Sequence, residues 1–157
     1  MRAPLFLVIA LSGCLGLGCV GYESTLGPKF APTAVPAGRS LVYLYRPSKL
    51  VGWARPIHVV VDGAERLIMV RGYAVISVPP GHHQVTVYST DLSQNFPTLG
   101  YGGGADHTNL EFDTKEGDTA YFKVRSTLSA IEVQNISPGD GKSDIEDLHL
   151  TPGGALR

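Results

Sequence analysis

The six residues "LVYLYR", numbered 41 to 46, carry apolar or aromatic side chains on both faces of an extended chain. Successive side chains of a strand point to opposite faces, so a strand without a polar face has to be covered on both sides. We therefore expect this segment to be a strand buried within a β-sandwich.

Beyond this segment the hydrophobic period remains two residues, and turn residues separate seven further short strands. The predicted strands cover residues 57–62, 66–70, 73–78, 83–89, 109–114, 119–125 and 130–136. Their spacing of about ten residues is typical of an all-β fold, a small antiparallel sandwich of about eight strands. Asp62-Gly63 predicts a tight turn, and Ser143 with Glu146 forms a capping-box pattern that predicts one short C-terminal helix.

Length and charge limit the class of protein. The chain has 157 residues, a net charge of −1, and 13 basic residues that form no run. This length suits one domain, and the scattered basic residues give no electrostatic footprint for nucleic acid. We therefore expect a single domain without a nucleic-acid partner.

The N-terminus has the layout of a secretory signal: Arg2, an apolar run from residue 3 to residue 11, and then small residues. The run is too short to span a membrane, which takes about 20 apolar residues. Leu11-Ser12-Gly13-Cys14 resembles the bacterial lipobox, which implies cleavage after residue 13 and a covalent diacylglycerol on Cys14. Gly16-Leu17-Gly18-Cys19 is the alternative, with a signal peptide of residues 1–18. There are two further alternatives. In the first, both cysteines are inert residues of an ordinary signal peptide; in the second, the two cysteines form a disulfide with each other.

Proline and glycine divide the rest of the chain into segments. Residues 20–40 predict a semi-stiff tether without a packing face. The predicted β-sandwich domain covers residues 41–150, and residues 151–157 are expected to form a flexible tail.

Two longer segments carry a resemblance to a known family. "VVVDGAERL" (59–67) followed by "YAVISVPPGHHQVTVYS" (73–89) resembles the PEGA-type β-sandwich module. With "VYLYRP" (42–47) before them and "EGDTAYFKVR" (116–125) after them, the frame is similar to a family of uncharacterised bacterial lipoproteins with a domain of unknown function. The resemblance spans about residues 40–137. It implies a β-sandwich, and it implies no established activity, catalytic residue or cofactor.

Two insertions supply the candidate residues for partner binding. Residues 47–56 contain Trp53, the only tryptophan, together with Arg55, and residues 91–107 contain Phe96 and Tyr101. Tryptophan, tyrosine and arginine are enriched at binding hot spots, and long loops in small domains are often recognition elements. The alternative for Trp53 is that it caps the open end of the sandwich as part of the core.

The histidines give no metal-ligand spacing. The five are His58, His82, His83, His107 and His149. The one adjacent pair, His82 and His83, would point to opposite faces of a strand, and adjacent histidines seldom share a metal ion. Glu111 and Asp113 would share the exposed face of their strand. We therefore predict no metal site and no catalytic residue.

The sequence thus predicts a non-enzymatic binding or scaffolding domain, anchored by lipid in the bacterial cell envelope. Neither Cys14 nor Cys19 is followed by aspartate, the residue that favours inner-membrane retention, which favours the outer membrane. The expected partner besides the membrane is an envelope protein or a cell-wall component, and no cofactor is expected. Three alternatives are an assembly module that pairs by an edge strand, a soluble secreted β-domain, and a hydrolase that uses His82 or His107.

Overall fold

The computed structural model describes residues 27–47, 56–89, 107–126 and 130–152, which form nine strands and one helix. Their bounds are β1 Ser40–Arg46, β2 Ile57–Val61, β3 Ala64–Ile68, β4 Gly72–Val78, β5 Gly81–Tyr88, β6 His107–Thr114, β7 Thr119–Ser126, β8 Ile131–Ile136, α1 Pro138–Ile145 and β9 His149–Leu150. Sheet A has the order β8-β7-β1-β4-β9, and sheet B has the order β3-β2-β5-β6. The predicted all-β sandwich with a short C-terminal helix is confirmed, and each predicted strand overlaps an observed one.

Strand β1 lies at the centre of sheet A, and all seven of its residues are buried. It pairs antiparallel with β4 and parallel with β7, and β4 pairs parallel with β9. Sheet A is therefore mixed and not purely antiparallel. The reason is that the chain passes through sheet B between β1 and β7, so no tight hairpin fixes their relative direction.

The core between the two sheets contains apolar side chains from every long strand. Phe112 of β6 and Phe122 of β7 meet across it, with 4.7 Å between their ring centroids. Other fully buried members are Val42, Leu44, Ile57, Val59, Ile68, Ala74, Val85, Val87 and Val124. Each large apolar side chain buried here contributes about 1.5–3 kcal/mol relative to its exposed state.

The hairpin between β2 and β3 confirms the predicted turn at Asp62-Gly63. Val61 pairs with Ala64, so the loop has two residues, and both have positive φ, 48° for Asp62 and 85° for Gly63. Positive φ at both positions suits the right-handed twist of the flanking strands, and aspartate and glycine tolerate it well. This turn fixes the register of the hairpin.

The outer face of sheet A forms a second core, rich in tyrosine. Tyr43 and Tyr121 stack with 5.2 Å between their ring centroids, and Tyr73 lies beside Tyr43. Helix α1 covers part of this face with Ile145, which is fully buried, and Leu148 follows just after the helix. Sheet A is therefore covered on both faces.

The rest of this cover is a segment that we call the strap, residues 27–35. The Phe30 ring meets Tyr43 and Tyr73 edge-on, at centroid distances of 5.6 and 5.5 Å, and Val35 packs against the same cluster. The expectation that residues 20–40 form a tether without a packing face is therefore wrong for residues 27–40. The physical reason is that the side chains of Phe30 and Val35 pack against the tyrosine-rich face of sheet A, and the neighbouring prolines do not prevent this contact.

The strap also pairs with β9 at the edge of sheet A. Gly27 N–H donates to the Leu150 carbonyl and Leu150 N–H donates to the Pro28 carbonyl, both at 2.9 Å, and Lys29 forms a β-bridge with His149. Strand β9 was not predicted, because two residues show no period. Its backbone groups are satisfied by β4 on one side and by the strap on the other.

The predicted start of the helix is wrong. Helix α1 begins at Pro138, and the Ser137 side chain accepts a hydrogen bond from Asp140 N–H, whereas Ser143 lies in the last turn. Serine at the N-cap followed by proline at the first helical position is a strong start signal. Residues 140–144 consequently belong to the helix.

The domain also extends past the predicted limit at residue 150. Thr151 is buried, and its N–H donates to the Tyr73 carbonyl at 2.9 Å. Residues 153–157 of the predicted tail lie outside the described residues.

Two glycines of α1 allow a test of how the helix packs. A Cβ added at Gly141 would lie 2.4 Å from Cβ and 2.5 Å from Cγ of Tyr121, whereas one added at Gly139 would meet nothing within 4 Å. We expect Gly141→Ala to lower the free energy of unfolding by about 1–3 kcal/mol through overpacking, despite the higher helix propensity of alanine. Gly139→Ala, the matched control, should raise it by about 0.5 kcal/mol. Urea denaturation measures both, and equal stability of the two variants would contradict the packing of α1 on Tyr121.

Candidate functional site

The candidate residues from the sequence all lie outside the described residues. They are Cys14 and Cys19 for lipidation, and Trp53, Arg55, Phe96 and Tyr101 for partner binding. The ends of the two insertions are nevertheless described. His58 pairs with Tyr88, and Tyr88 pairs with His107. Three junctions therefore lie at the same end of sheet B. They are the point where the insertion 47–56 ends and the two points where the insertion 91–107 begins and ends.

Sheet B has an outer face on which no described residue is buried, and we call it the open face. It consists of alternate residues of the four strands: His58, Val60, Glu65, Leu67, His82, Gln84, Thr86, Tyr88, His107, Asn109, Glu111 and Asp113. None of these is lysine or arginine. Among the described residues, the open face is therefore a wide surface that does not pack against another element of the fold.

Three of its side chains are held together by hydrogen bonds. Glu65 Oε1 accepts from His58 Nδ1 at 2.6 Å and from the Tyr88 hydroxyl at 2.7 Å. The His58 and Tyr88 rings stack, with 4.8 Å between centroids and 11° between planes. Because a carboxylate only accepts, Nδ1 of His58 carries a proton, and its Nε2 can serve as an acceptor when the ring is neutral.

The same hydrogen bonds set the charge of this trio. The bond from Tyr88, followed by that from His58, holds the pKa of Glu65 below its usual range. The bond to Glu65 in turn raises the pKa of Tyr88 above its usual value. At neutral pH the trio consequently presents an ionised carboxylate beside a neutral phenol, both in fixed positions.

A second cluster lies on the other half of the open face. His82 has Nδ1 3.1 Å from Asp113 Oδ1 and Nε2 3.8 Å from Glu111 Oε2. Glu111 and Asp113 lie on the exposed face of β6, as predicted, and His82 and His83 do point to opposite faces of β5. Among the described residues, no group of three or more His, Cys, Asp or Glu is arranged to hold a metal ion.

His83 clamps the hairpin turn to β5 beneath this surface. Its ring is only 3% exposed, with Nδ1 2.5 Å from Asp62 Oδ2 and Nε2 2.8 Å from the Pro79 carbonyl. Asp62 Oδ1 also accepts from Gln84 N–H at 3.1 Å. Burial raises the pKa of Asp62, but the hydrogen bonds from His83 and Gln84 outweigh it and hold this pKa below its usual value. The clamp therefore fixes the hairpin relative to β5, and with it the register of the open face.

Sequence reasoning missed the trio, although one signal for it was present. A two-residue turn at Asp62-Gly63 fixes Val60 opposite Glu65, which makes His58 and Glu65 diagonal neighbours on one face. Tyr88 could not be added, because its register with His58 depends on the pairing of β2 with β5, which are far apart in sequence.

The chain matches no protein-family model, no curated protein and no solved structure. The resemblance to PEGA-type modules and to their lipoprotein family therefore stays a prediction. In the described ranges, no helix has both the length and the apolar character needed to cross a membrane.

Substitution of Asp62 tests the clamp. Asp62→Asn keeps a residue that tolerates positive φ but removes the charge, and we expect it to lower the free energy of unfolding by about 1 kcal/mol at pH 7, because solvent screens a carboxylate that is 42% exposed. Because the folded-state pKa of Asp62 is lowered, the ionised form stabilises the fold above the unfolded pKa. This contribution is lost as the pH falls through the folded pKa, so the difference from wild type should shrink below about pH 4.

Denaturant unfolding between pH 7 and pH 2 measures this difference. The control is Asp113→Asn, whose exposed carboxylate should contribute less than about 0.5 kcal/mol. A difference for Asp62→Asn that stays constant over the whole range would contradict the charged clamp.

Proposed function

We propose that this protein is an exported bacterial cell-envelope lipoprotein whose β-sandwich domain acts by binding and not by catalysis. The lipid anchor is supported by the short apolar N-terminal run and by the lipobox-like residues that end at Cys14, with Cys19 as the alternative. The outer membrane is the favoured location, since neither cysteine is followed by aspartate.

The open face carries the proposal of a binding domain. The strap and α1 cover the outer face of sheet A, whereas the open face presents fixed hydrogen-bonding groups to solvent. Groups that are already held in place lose little conformational entropy when a partner binds. Trp53, Arg55, Phe96 and Tyr101 belong to insertions that start or finish at one end of this face, and we propose that they extend it. The partner class is an envelope protein or a cell-wall component.

Edge-strand pairing is the second candidate function. Strand β8 ends sheet A on the side away from β9 and has no further paired strand among the described residues. A partner strand could add to such an edge through backbone hydrogen bonds.

Metabolic labelling with a fatty-acid analogue tests the anchor. We expect Cys14→Ser to abolish incorporation and to block processing, because the thioether requires the thiol, while Cys19→Ser should leave both unchanged. The opposite result would assign the lipid to Cys19. If both variants are labelled as strongly as wild type, or if neither is labelled, the proposal of a single lipidated cysteine is contradicted. Wild-type protein without label would favour a soluble secreted domain.

Capture experiments with the full chain test how the domain binds. Purified cell-wall sacculi and solubilised envelope proteins are the two probes. We expect Trp53→Ala and Tyr88→Ala to reduce the captured amount about tenfold, as hot-spot substitutions do. Gln134→Lys, which adds a charge to the β8 edge, should leave capture unchanged. Loss with Gln134→Lys alone would favour edge pairing, and far-ultraviolet circular dichroism confirms that each variant is folded.

A further inference from the structure

We infer that the anchored domain stands on its β9 edge, with the opposite edge, formed by β8 and β6, facing away from the lipid surface. This inference rests on the proposed lipid anchor. It follows from where the strap leaves the fold and from how little chain then remains as a tether.

The strap is held at several points near its start. Besides the two backbone bonds between residues 27–28 and Leu150, Phe30 N–H donates to the Leu148 carbonyl at 2.9 Å. His149 Nδ1 lies 3.0 Å from the Gly27 carbonyl, and Lys29 Nζ lies 3.5 Å from Asp147 Oδ1. Within the described chain, the fold thus begins at Gly27, beside β9.

This attachment shortens the tether. Gly27 is the eighth residue after Cys19 and the thirteenth after Cys14. The fully extended chain between them would reach about 28 Å from Cys19 or about 45 Å from Cys14. A flexible chain of 8 to 13 residues has a root-mean-square span of only about 16–20 Å. A tether that continued to residue 40 would reach about 70 Å from Cys19. It would also join the domain at Ser40, at the end of β1 that is opposite to the one beside Gly27.

The width of sheet A is larger than this mean span. Between the strap and β8 lie β9, β4, β1 and β7, so the strap and β8 are about 24 Å apart at the usual strand spacing. The bilayer excludes the folded domain, so a tether whose mean span is smaller than the width of the sheet keeps the attachment edge, on average, closer to the lipid than the opposite edge. The β8 edge is consequently the distal one.

Sheet B follows the same order. Strand β3 packs against β4, and β6 packs against β8, where Thr108 Oγ1 donates to the Ile131 carbonyl at 2.5 Å. The His82 cluster, on β5 and β6, therefore lies on the half of the open face that is farther from the lipid. Glu65, on β3, lies on the nearer half.

Lipid quenching tests this orientation on the full-length lipoprotein, purified from membranes and reconstituted into phosphatidylcholine–phosphatidylglycerol vesicles with spin-labelled headgroups. Asp147→Cys and Gln134→Cys, both at exposed positions, are labelled singly with bimane after the cysteine that is not lipidated has been replaced by serine. We expect quenching at residue 147 to exceed that at residue 134 about twofold or more, since four strand spacings, about 19 Å, separate β9, which follows residue 147, from β8. Equal quenching, or stronger quenching at residue 134, would overturn the inference.

A lengthened tether is the matched control. Twenty Gly/Ser residues inserted between residues 26 and 27 should make quenching at the two sites nearly equal, because the domain is then free to turn. A difference that persists with the long tether would overturn the role of the short tether. Vesicle flotation separates the two proposals: a wild-type chain that does not float contradicts the anchor and the orientation together, whereas a floating chain with equal quenching contradicts the orientation alone.

Discussion

Burial of β1 on both faces is the constraint on which the rest of the structure depends. Val42 and Leu44 face the core between the sheets, and sheet B covers them. Leu41, Tyr43 and Tyr45 face the other way and require a cover of their own. The chain supplies it with α1 and the strap, so sheet A becomes a middle layer and sheet B becomes the layer with an outer face in solvent.

Tyrosine in this second core demands polar partners as well as apolar contact. The Tyr45 hydroxyl donates to Asp144 Oδ2 at 2.9 Å, and Lys123 Nζ donates to the same oxygen. Burial, together with the bond to Asp144, raises the pKa of Tyr45, and the bond from Lys123 is the main cause that lowers the pKa of Asp144. Thr33 N–H donates to the Tyr43 hydroxyl at 3.3 Å. Both covering elements are therefore held by hydrogen bonds to tyrosine hydroxyls, which buried phenols require.

Local patterns predicted the elements whose causes are local. Apolar residues on both faces identified β1, the period of two residues identified the other seven longer strands, and Asp62-Gly63 identified the hairpin, because these signals act within a few residues. The helix start was misplaced because Ser143 and Glu146 fit the same pattern as a true N-cap. The helix begins instead after Ser137, where Pro138 occupies the first helical position. The strap could not be predicted from residues 27–35 alone, since Phe30 gains its stability from Tyr43 and Tyr73, which adjacent strands bring together. The open-face trio needed the β2–β5 register for the same reason.

The division between a covered sheet and an exposed one also determines what the open face can recognise. Its carboxylates at residues 65, 111 and 113 accept hydrogen bonds, and none of the residues that form this face is lysine or arginine. A negative potential of this kind repels anionic groups and attracts positive charge or hydroxyl and amide donors. Few of its side chains are apolar, so the face can remain hydrated without promoting aggregation when no partner is bound. A partner of the kind proposed would therefore gain its binding energy on the open face from directed hydrogen bonds to groups that the fold already holds in place, and apolar contact would have to come from the aromatic residues of the two insertions.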